Sequence, residues 1–524
     1  MNTKNILLEA VSLCLSMGVA GCSTEDDPIE RPVENTKSLV ILYENDVHCG
    51  IDGYTKMAGL RDAINRSDTA YATIVSCGDY LQGAVAGAIS RGQYIIDIMR
   101  NMNYTAITIG NHEFDYGGPH MIKLLQDVNA PVVCANFFEY EATQPVYDPY
   151  IIRPLGDKKI AYVGVCTPET MRAESYSFFD KDGNQLYDLH NDRLPALVQQ
   201  AVDDARGEGA DYVVLLSHLG ENEKDDAISS WSLVEKTKGI DVVLDGHTHS
   251  VIESHEVNNL DGQPVNVTQT GTQFAYVGKL LITTDGHFST TLIPTSEIPY
   301  ENATITATVD SIKADMNAAV SQQIATCDFE LTINGSNGRL VRSGETNLGD
   351  LITDAYRAEM NTDIGIMNGG GIRNSIPAGI ITYGDIIDVL PNDNLICKIE
   401  ATGAQLMEML RKCTAKCPVE DGSFPHVSGM RYTIHTASHT VSNVDVLDAN
   451  GVYQPIDETS TYTVAVSDYF MSGGFYGTLV QCPLLLWSTT IVRDALANFL
   501  RFGLNGNIET TYAMPQQRIT ISQD

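Results

Sequence analysis

The chain has 524 residues, with 33 Lys and Arg against 67 Asp and Glu, for a formal net charge of −34. A composition that is 43% hydrophobic and 19% charged, without low-complexity tracts, excludes wholesale disorder. The acidity argues against DNA, RNA or anionic headgroups as main partners, since phosphate backbones need Lys/Arg stripes; it leaves room for a phosphate substrate, because bound cations supply positive charge locally.

At the N-terminus Lys4 precedes a mostly apolar run over 6–19 that ends in Val19-Ala20-Gly21-Cys22. The run is too short for a membrane span. It resembles a bacterial lipoprotein signal, in which small residues precede a cysteine that becomes the lipidated first residue. That resemblance implies a signal over 1–21, Cys22 as the lipidation site and a polar, flexible tether over 22–37. It also implies a lipid-anchored place in the bacterial cell envelope, on the periplasmic face or the cell surface.

From 38 to about 300, β-rich runs at 39–43, 73–77, 106–109, 132–135, 160–165, 212–216 and 242–244 alternate with helical patterns. The helical patterns fall at 93–102, 119–127, 195–206 and 231–236. Such alternation predicts an α/β domain of stacked helix and sheet layers. Residues 303–321 read as one helix, a connector spanning 301–326. A second domain over 327–524 opens a helix near Asn347 and contains the turn Asn368-Gly369-Gly370-Gly371.

Eleven cysteines are present; setting aside Cys14 and Cys22 leaves nine, an odd number that does not suggest a disulfide scaffold. Cys77, Cys134, Cys166 and Cys397 lie in apolar strand patterns and read as buried free thiols. Cys413 and Cys417, at helical i, i+4 spacing, leave a pair or a metal site open.

The chemistry lies just past the predicted strands. Asn45-Asp46-Val47-His48 follows the first, Gly78-Asp79 the second, and Gly110-Asn111-His112-Glu113-Phe114-Asp115 the third. Ser217-His218 and Asp245-Gly246-His247-Thr248-His249 follow two more. Carboxyl ends of strands are where α/β sheets place their sites, and the adjoining glycines permit tight turns. Oxygen and imidazole donors in this number suit two divalent ions, zinc, manganese or another metal, with Asp79 as the natural bridge.

In chain order these segments look like the five signatures of the calcineurin-like metallophosphoesterases, and Gly110 to Asp115 is closest to the branch of 5'-nucleotidases and UDP-sugar hydrolases. Glu345-Thr346-Asn347-Leu348-Gly349-Asp350 and Asn368-Gly369-Gly370-Gly371-Ile372-Arg373 resemble that branch in the second half. The resemblance implies an N-terminal β-sandwich flanked by helices, joined by a helix to a C-terminal α/β substrate domain. It implies Asp46, His48, Asp79 and His249 around one metal, and Asp79, Asn111, His218 and His247 around the other. His112, oriented by Asp115, would hydrogen-bond the phosphoryl group and aid leaving-group departure. Arg342 and Arg373 would hold phosphate oxygens, with Arg339 as an off-register companion. The implied substrate is a small-molecule phosphate ester, above all a nucleotide, with UDP-sugars and 2',3'-cyclic nucleotides as further members of the class. Oligomeric state is left open.

The sequence departs from the family in its base pocket. Relatives stack a base between two aromatics, but the first position reads Pro391-Asn392-Asp393-Asn394, without an aromatic. At the second, Tyr469 is placed to stack, while Phe475 stands where an aspartate would hold ribose; Phe475 or Tyr476 could offer the other face, and Asn394 could touch the base. A hydrolase of a non-nucleotide ester, such as a sugar phosphate or a sulfur-containing group, and a non-catalytic binding lipoprotein are the alternative readings.

Overall fold

The computed structural model describes residues 37–174, 177–180, 184–221, 228–336, 338–470 and 473–524. Cys22 and the rest of 1–36, which carry the signal and tether readings, lie outside the described residues.

The strand Ser38–Glu44 shows how the sequence sets the layers. Its residues alternate, and because side chains along a strand point to opposite faces, both of its faces are apolar. Leu39, Ile41 and Tyr43 point into one core with Tyr162, Val214, Leu216 and Leu244, while Val40 and Leu42 join a second core with Met57, Ile96 and Met121. Two sheets therefore pack face to face with helices outside. One sheet has the order Phe288–Pro294, Tyr276–Ile282, Ser38–Glu44, Ala70–Ser76, Ala106–Ile107. The other runs Val251–Asn258, Pro264–Thr270, Val242–Asp245, Tyr212–His218, Lys158–Cys166, Tyr150–Leu155. The central strands Ser38–Glu44 and Ala70–Ser76 pair in parallel, as do Lys158–Cys166, Tyr212–His218 and Val242–Asp245. Their carboxyl ends gather at one rim.

Two features differ from the sequence expectation. Residues 132–135 form isolated bridges at Val132 and Val133 instead of a strand. Four strands between Val251 and Pro294, and the edge strand Tyr150–Leu155, extend the sheets beyond the sequence reading; Pro264–Thr270 pairs in parallel with Val242–Asp245 and the others join antiparallel.

The helix Ala303–Val320 follows, capped by Asn302, whose side chain accepts from the backbone of Thr304 and Ile305. It packs on helices of the first domain (Asp52–Arg66, Ala84–Ser90, Gln93–Met99) and on Tyr383–Val389 of the second. The second domain is built on a sheet of order Pro425–Ser428, Ile364–Asn368, Thr461–Ser467, Leu395–Thr402, Leu484–Ile491. The helix Asn347–Met360, started by the Thr346 cap, covers one face; Gly403–Thr414, started by a Thr402/Gln405 capping box, covers the other. Nine cysteines are described; all are buried and free, Cys413 and Cys417 included. Among the described residues no helix is long and apolar enough to cross a membrane.

Candidate active site

Four side chains meet at the rim of the sandwich. Donor atoms of Asp46, His48, Asp79 and His249 all lie within 4.8 Å of one another. His48 Nε2 is 3.0 Å from His249 Nε2, 3.9 Å from Asp46 Oδ1 and 3.8 Å from Asp79 Oδ2; His249 Nε2 is 3.4 Å from Asp46 Oδ1. Donors on a four-coordinate ion at ~2.0–2.1 Å stand roughly 3.4 Å apart, so this spacing fits a divalent cation.

His218 completes the cluster from the strand Tyr212–His218. Its Nδ1 donates to Cys77 O at 2.7 Å, which leaves Nε2 facing Asp79 Oδ2 at 3.1 Å and Asp46 Oδ1 at 3.8 Å. Neither His218 Nε2 nor Asp79 Oδ2 makes a hydrogen bond, although both are buried. Burial works to lower the His218 pKa, yet Asp79 and Asp46 raise it to about 10: the carboxylates demand positive charge at this point. His247 Nδ1 and Asn111 Oδ1 face each other at 2.9 Å. Buried donors without partners are the signature expected of an ion cradle.

The backbone is shaped for the same end. Asp46, His48, Asp79, His247 and His249 all have positive φ, between 43° and 82°, a region that residues with a Cβ seldom occupy. Strain of this kind persists where the surroundings over-determine it, commonly at functional sites. Gly110 is required for space: a Cβ there would stand 2.2 Å from Asp79 Oδ1 and 2.6 Å from His218 Nε2, inside the cradle itself.

His112 lies beside the cluster, its ring 5.0 Å from that of His48 and its Nδ1 2.9 Å from Asp115 Oδ2. Burial acts to lower its pKa, but the charges of Asp115 and Asp79 outweigh it and hold the imidazole well above its ordinary range.

The second domain adds a cavity of about 290 Å³ lined by Arg342, Arg373, Asn368, Asn392, Asn394, Asp421 and Tyr469, among others. Arg342 Nε is buried without a hydrogen-bond partner, and burial, then Arg339 and Arg373, lower its pKa. Crowded guanidinium groups with an unused donor are suited to an anion. Arg339 itself pairs with Glu420 on the surface. The turn 391–394 connects cavity to cradle: Gln82, whose carbonyl lies 3.2 Å from His48 Nδ1, donates to Asp393 Oδ2 at 3.3 Å. Asn394 donates to Asp468 at 2.7 Å.

Phe475 corrects a sequence expectation. It is 1% exposed, sits in the apolar core with Leu406, Met409 and Leu479, and does not line the cavity. Left-handed backbone at both Phe475 and Tyr476 turns the phenyl ring inward and the phenol outward, where its hydroxyl hydrogen-bonds Asp421 and Lys416.

Comparison with known proteins agrees with this arrangement. Residues 39–251 match the calcineurin-like phosphoesterase family model, and residues 323–479 match the 5'-nucleotidase C-terminal domain. The first domain is thus a calcineurin-like phosphoesterase domain. The chain is 26% identical over 497 residues to a trifunctional nucleotide phosphoesterase of Bacillus subtilis, covering 86% of the chain and 33% of that relative. The chain thus spans about a third of that relative's length. It is also 26% identical to a 5'-nucleotidase of Bos taurus, with 85% of this chain and 84% of the other covered. In structure it is similar to the 5'-nucleotidase precursor from Thermus thermophilus, with TM-score 0.58, 24% identity and coverage of 93% and 100%. Calcineurin-like phosphoesterases hold two divalent metal ions; Asp46, His48, Asp79 and His249 fit one, and His218, His247 and Asn111 gather beside them.

Three glutamates at this site are given no role by the sequence reading. Glu113, fully buried, accepts backbone N–H groups from Asp79, Tyr80, Leu81 and Gly110 at 2.6–3.0 Å and so fastens the loops after Ala70–Ser76 and Ala106–Ile107 together. Glu169 and Glu174 come from a sixth strand end, after Lys158–Cys166. Glu169 Oε2 is 3.0 Å from His247 Nε2, and Glu174 groups with His112 and Asp115. No glycine or histidine accompanies them, so no motif marked them.

Proposed function

We propose that this protein is a metal-dependent phosphoesterase that releases phosphate from small-molecule esters, nucleotides foremost. The observation that carries the reading is the link, through Gln82 and Asp393, between the Asp46/His48/Asp79/His249 cradle and the 391–394 turn of a cavity holding Arg342 and Arg373. The names of the relatives support the nucleotide preference.

Asp46, His48, Asp79 and His249 would hold one ion, and Asp79, Asn111, His218 and His247 the other. When bound, such a pair supplies charge for phosphoryl oxygens and lowers the pKa of water toward neutrality. Arg342 and Arg373 anchor the substrate's phosphate oxygens bidentately. His112, held by Asp115, donates its Nε2 proton into the charge that develops as the ester bond breaks. Asn394 and Tyr469 border the leaving group, the tyrosine as a one-sided stacking platform at 40% exposure.

The same cavity favours a second reading, a non-nucleotide ester, because Asn392 stands at the turn and Phe475 is buried in the core. Phosphate release across nucleoside monophosphates, UDP-glucose, 2',3'-cyclic nucleotides and sugar phosphates separates the two. Nucleotides should lead the panel, and Asn392→Phe should lower nucleotide KM, since stacking contributes about 1–3 kcal/mol per base. A sugar phosphate turned over faster than every nucleotide overturns the first reading in favour of the second.

Lipid anchoring through Cys22 in the cell envelope is part of the same proposal and rests on the sequence around that cysteine. Cys22→Ala should move the expressed protein from the membrane fraction to the soluble one.

A further inference from the structure

We propose that Glu169 is a positioning residue: it fixes the tautomer and orientation of His247 and thereby tightens ion binding where Asp79, Asn111, His218 and His247 meet. This rests on the metal role of His247 proposed above. Glu169 is 8% exposed, and its two carboxylate oxygens have separate partners: Oε2 meets His247 Nε2 at 3.0 Å and Oε1 meets Arg172 at 3.2 Å.

A neutral imidazole has one N–H and one lone pair. A carboxylate only accepts, so in the neutral imidazole that a metal requires Glu169 holds the proton on Nε2 and leaves the Nδ1 lone pair directed at the cradle. There it faces Asn111 Oδ1, itself an acceptor, at 2.9 Å. With Nδ1 unprotonated, two acceptors at that separation repel each other until a metal cation that both can reach takes the place of the proton. The other end of the residue is fixed as well: the His247 N–H donates to Asp46 Oδ2 at 2.9 Å, and the backbone is left-handed with φ 82°. Backbone and ring are thus clamped from opposite sides. A carboxylate on the far nitrogen of a ligating histidine also raises the basicity of the near one, and its loss commonly weakens metal binding 10–100-fold.

The test uses the full-length protein stripped of metal and titrated with Co²⁺ against a competing chelator. Glu169→Gln should weaken one of two binding events on the order of 10–100-fold and leave the other unchanged. Glu169→Asp, which keeps the charge but falls a methylene short, should reproduce the loss. Histidine ¹⁵N spectra of the metal-free protein should show His247 as the Nε2–H tautomer in the wild type and as a mixture in Glu169→Gln. Metal-free melting temperatures should match. Added to His247→Ala, Glu169→Gln should change nothing further. Two tight Co²⁺ events in Glu169→Gln, or a further loss in the double variant, would overturn the inference. His247→Ala binding both ions as the wild type does would instead overturn the ligand assignment on which it stands.

Discussion

His112 and Asp115 stand i, i+3 on a short 3₁₀ turn, an arrangement that brings imidazole and carboxylate to 2.9 Å. His112→Ala should lower kcat by about 10²–10⁴, the range of a lost general acid, while leaving Co²⁺ binding intact. Loss of both together would move His112 into the ligand set. A different histidine contributes to acid sensitivity. His426 is fully buried, donates through Nε2 to Val341 O at 2.8 Å, and burial pushes its pKa from 6.5 down to about 4. Below pH 6.5 the unfolded chain binds a proton that the folded chain refuses. The stability contributed by neutral His426 is therefore full above pH 6.5 and drains away as pH falls toward 4. A shift of this size corresponds to about 3 kcal/mol. Urea unfolding of His426→Gln between pH 7 and 4 should be flatter than the wild type's by that amount; equal slopes would refute the assignment.

At the scale of elements, the domains meet through a polar seam. Arg493, at the start of the helix Val492–Asn498, is completely buried, pairs with Asp393 and donates to Ala88 O of the first domain at 2.9 Å. Tyr116, also from the first domain, donates to Asp393 Oδ2 at 2.8 Å and packs in the second domain's core. Removing one partner of a buried ion pair strands the other. Arg493→Met should accordingly cost about 3–5 kcal/mol in chemical denaturation, and a loss below 1 kcal/mol would show that the seam is not under load. A rotation of one domain on the other, with the helix Ala303–Val320 as its axis, would have to open these bonds. Which elements could be read from sequence follows from how each advertises itself. Strands such as Tyr212–His218, buried on both faces, are uninterrupted apolar runs, and each ligand loop follows one of them beside a glycine or histidine. Val251–Asn258 reads VIESHEVN and is mostly exposed, so little in it announces a strand. The inward turn of Phe475 depends on two consecutive left-handed residues, and Glu169 on a contact 78 positions away; local pattern reveals neither.

Across the whole molecule, folding and ion binding share the same residues. Cradle donors reach the rim from widely spaced parts of the chain, 46 to 249, so ions gather loops that the chain alone holds in strained conformations. Whatever binds only the folded form stabilises it, by about 2.7 kcal/mol at a hundredfold excess over Kd. EDTA should abolish phosphate release and lower the melting temperature, and restored divalent ion should return both; a melting curve indifferent to EDTA would separate the ions from folding. The nine buried thiols carry a practical consequence. Burial raises their pKa values, that of Cys413 to about 12, so each is both screened from reagent and held as the unreactive thiol. A sulfhydryl-reactive dye has no ready target in the native described chain, and its uptake becomes a clock for transient opening. With Cys49, Cys77, Cys134 and Cys166 on one side of the connector and Cys327, Cys397, Cys413, Cys417 and Cys482 on the other, mass mapping of the tagged peptides would tell which half breathes first.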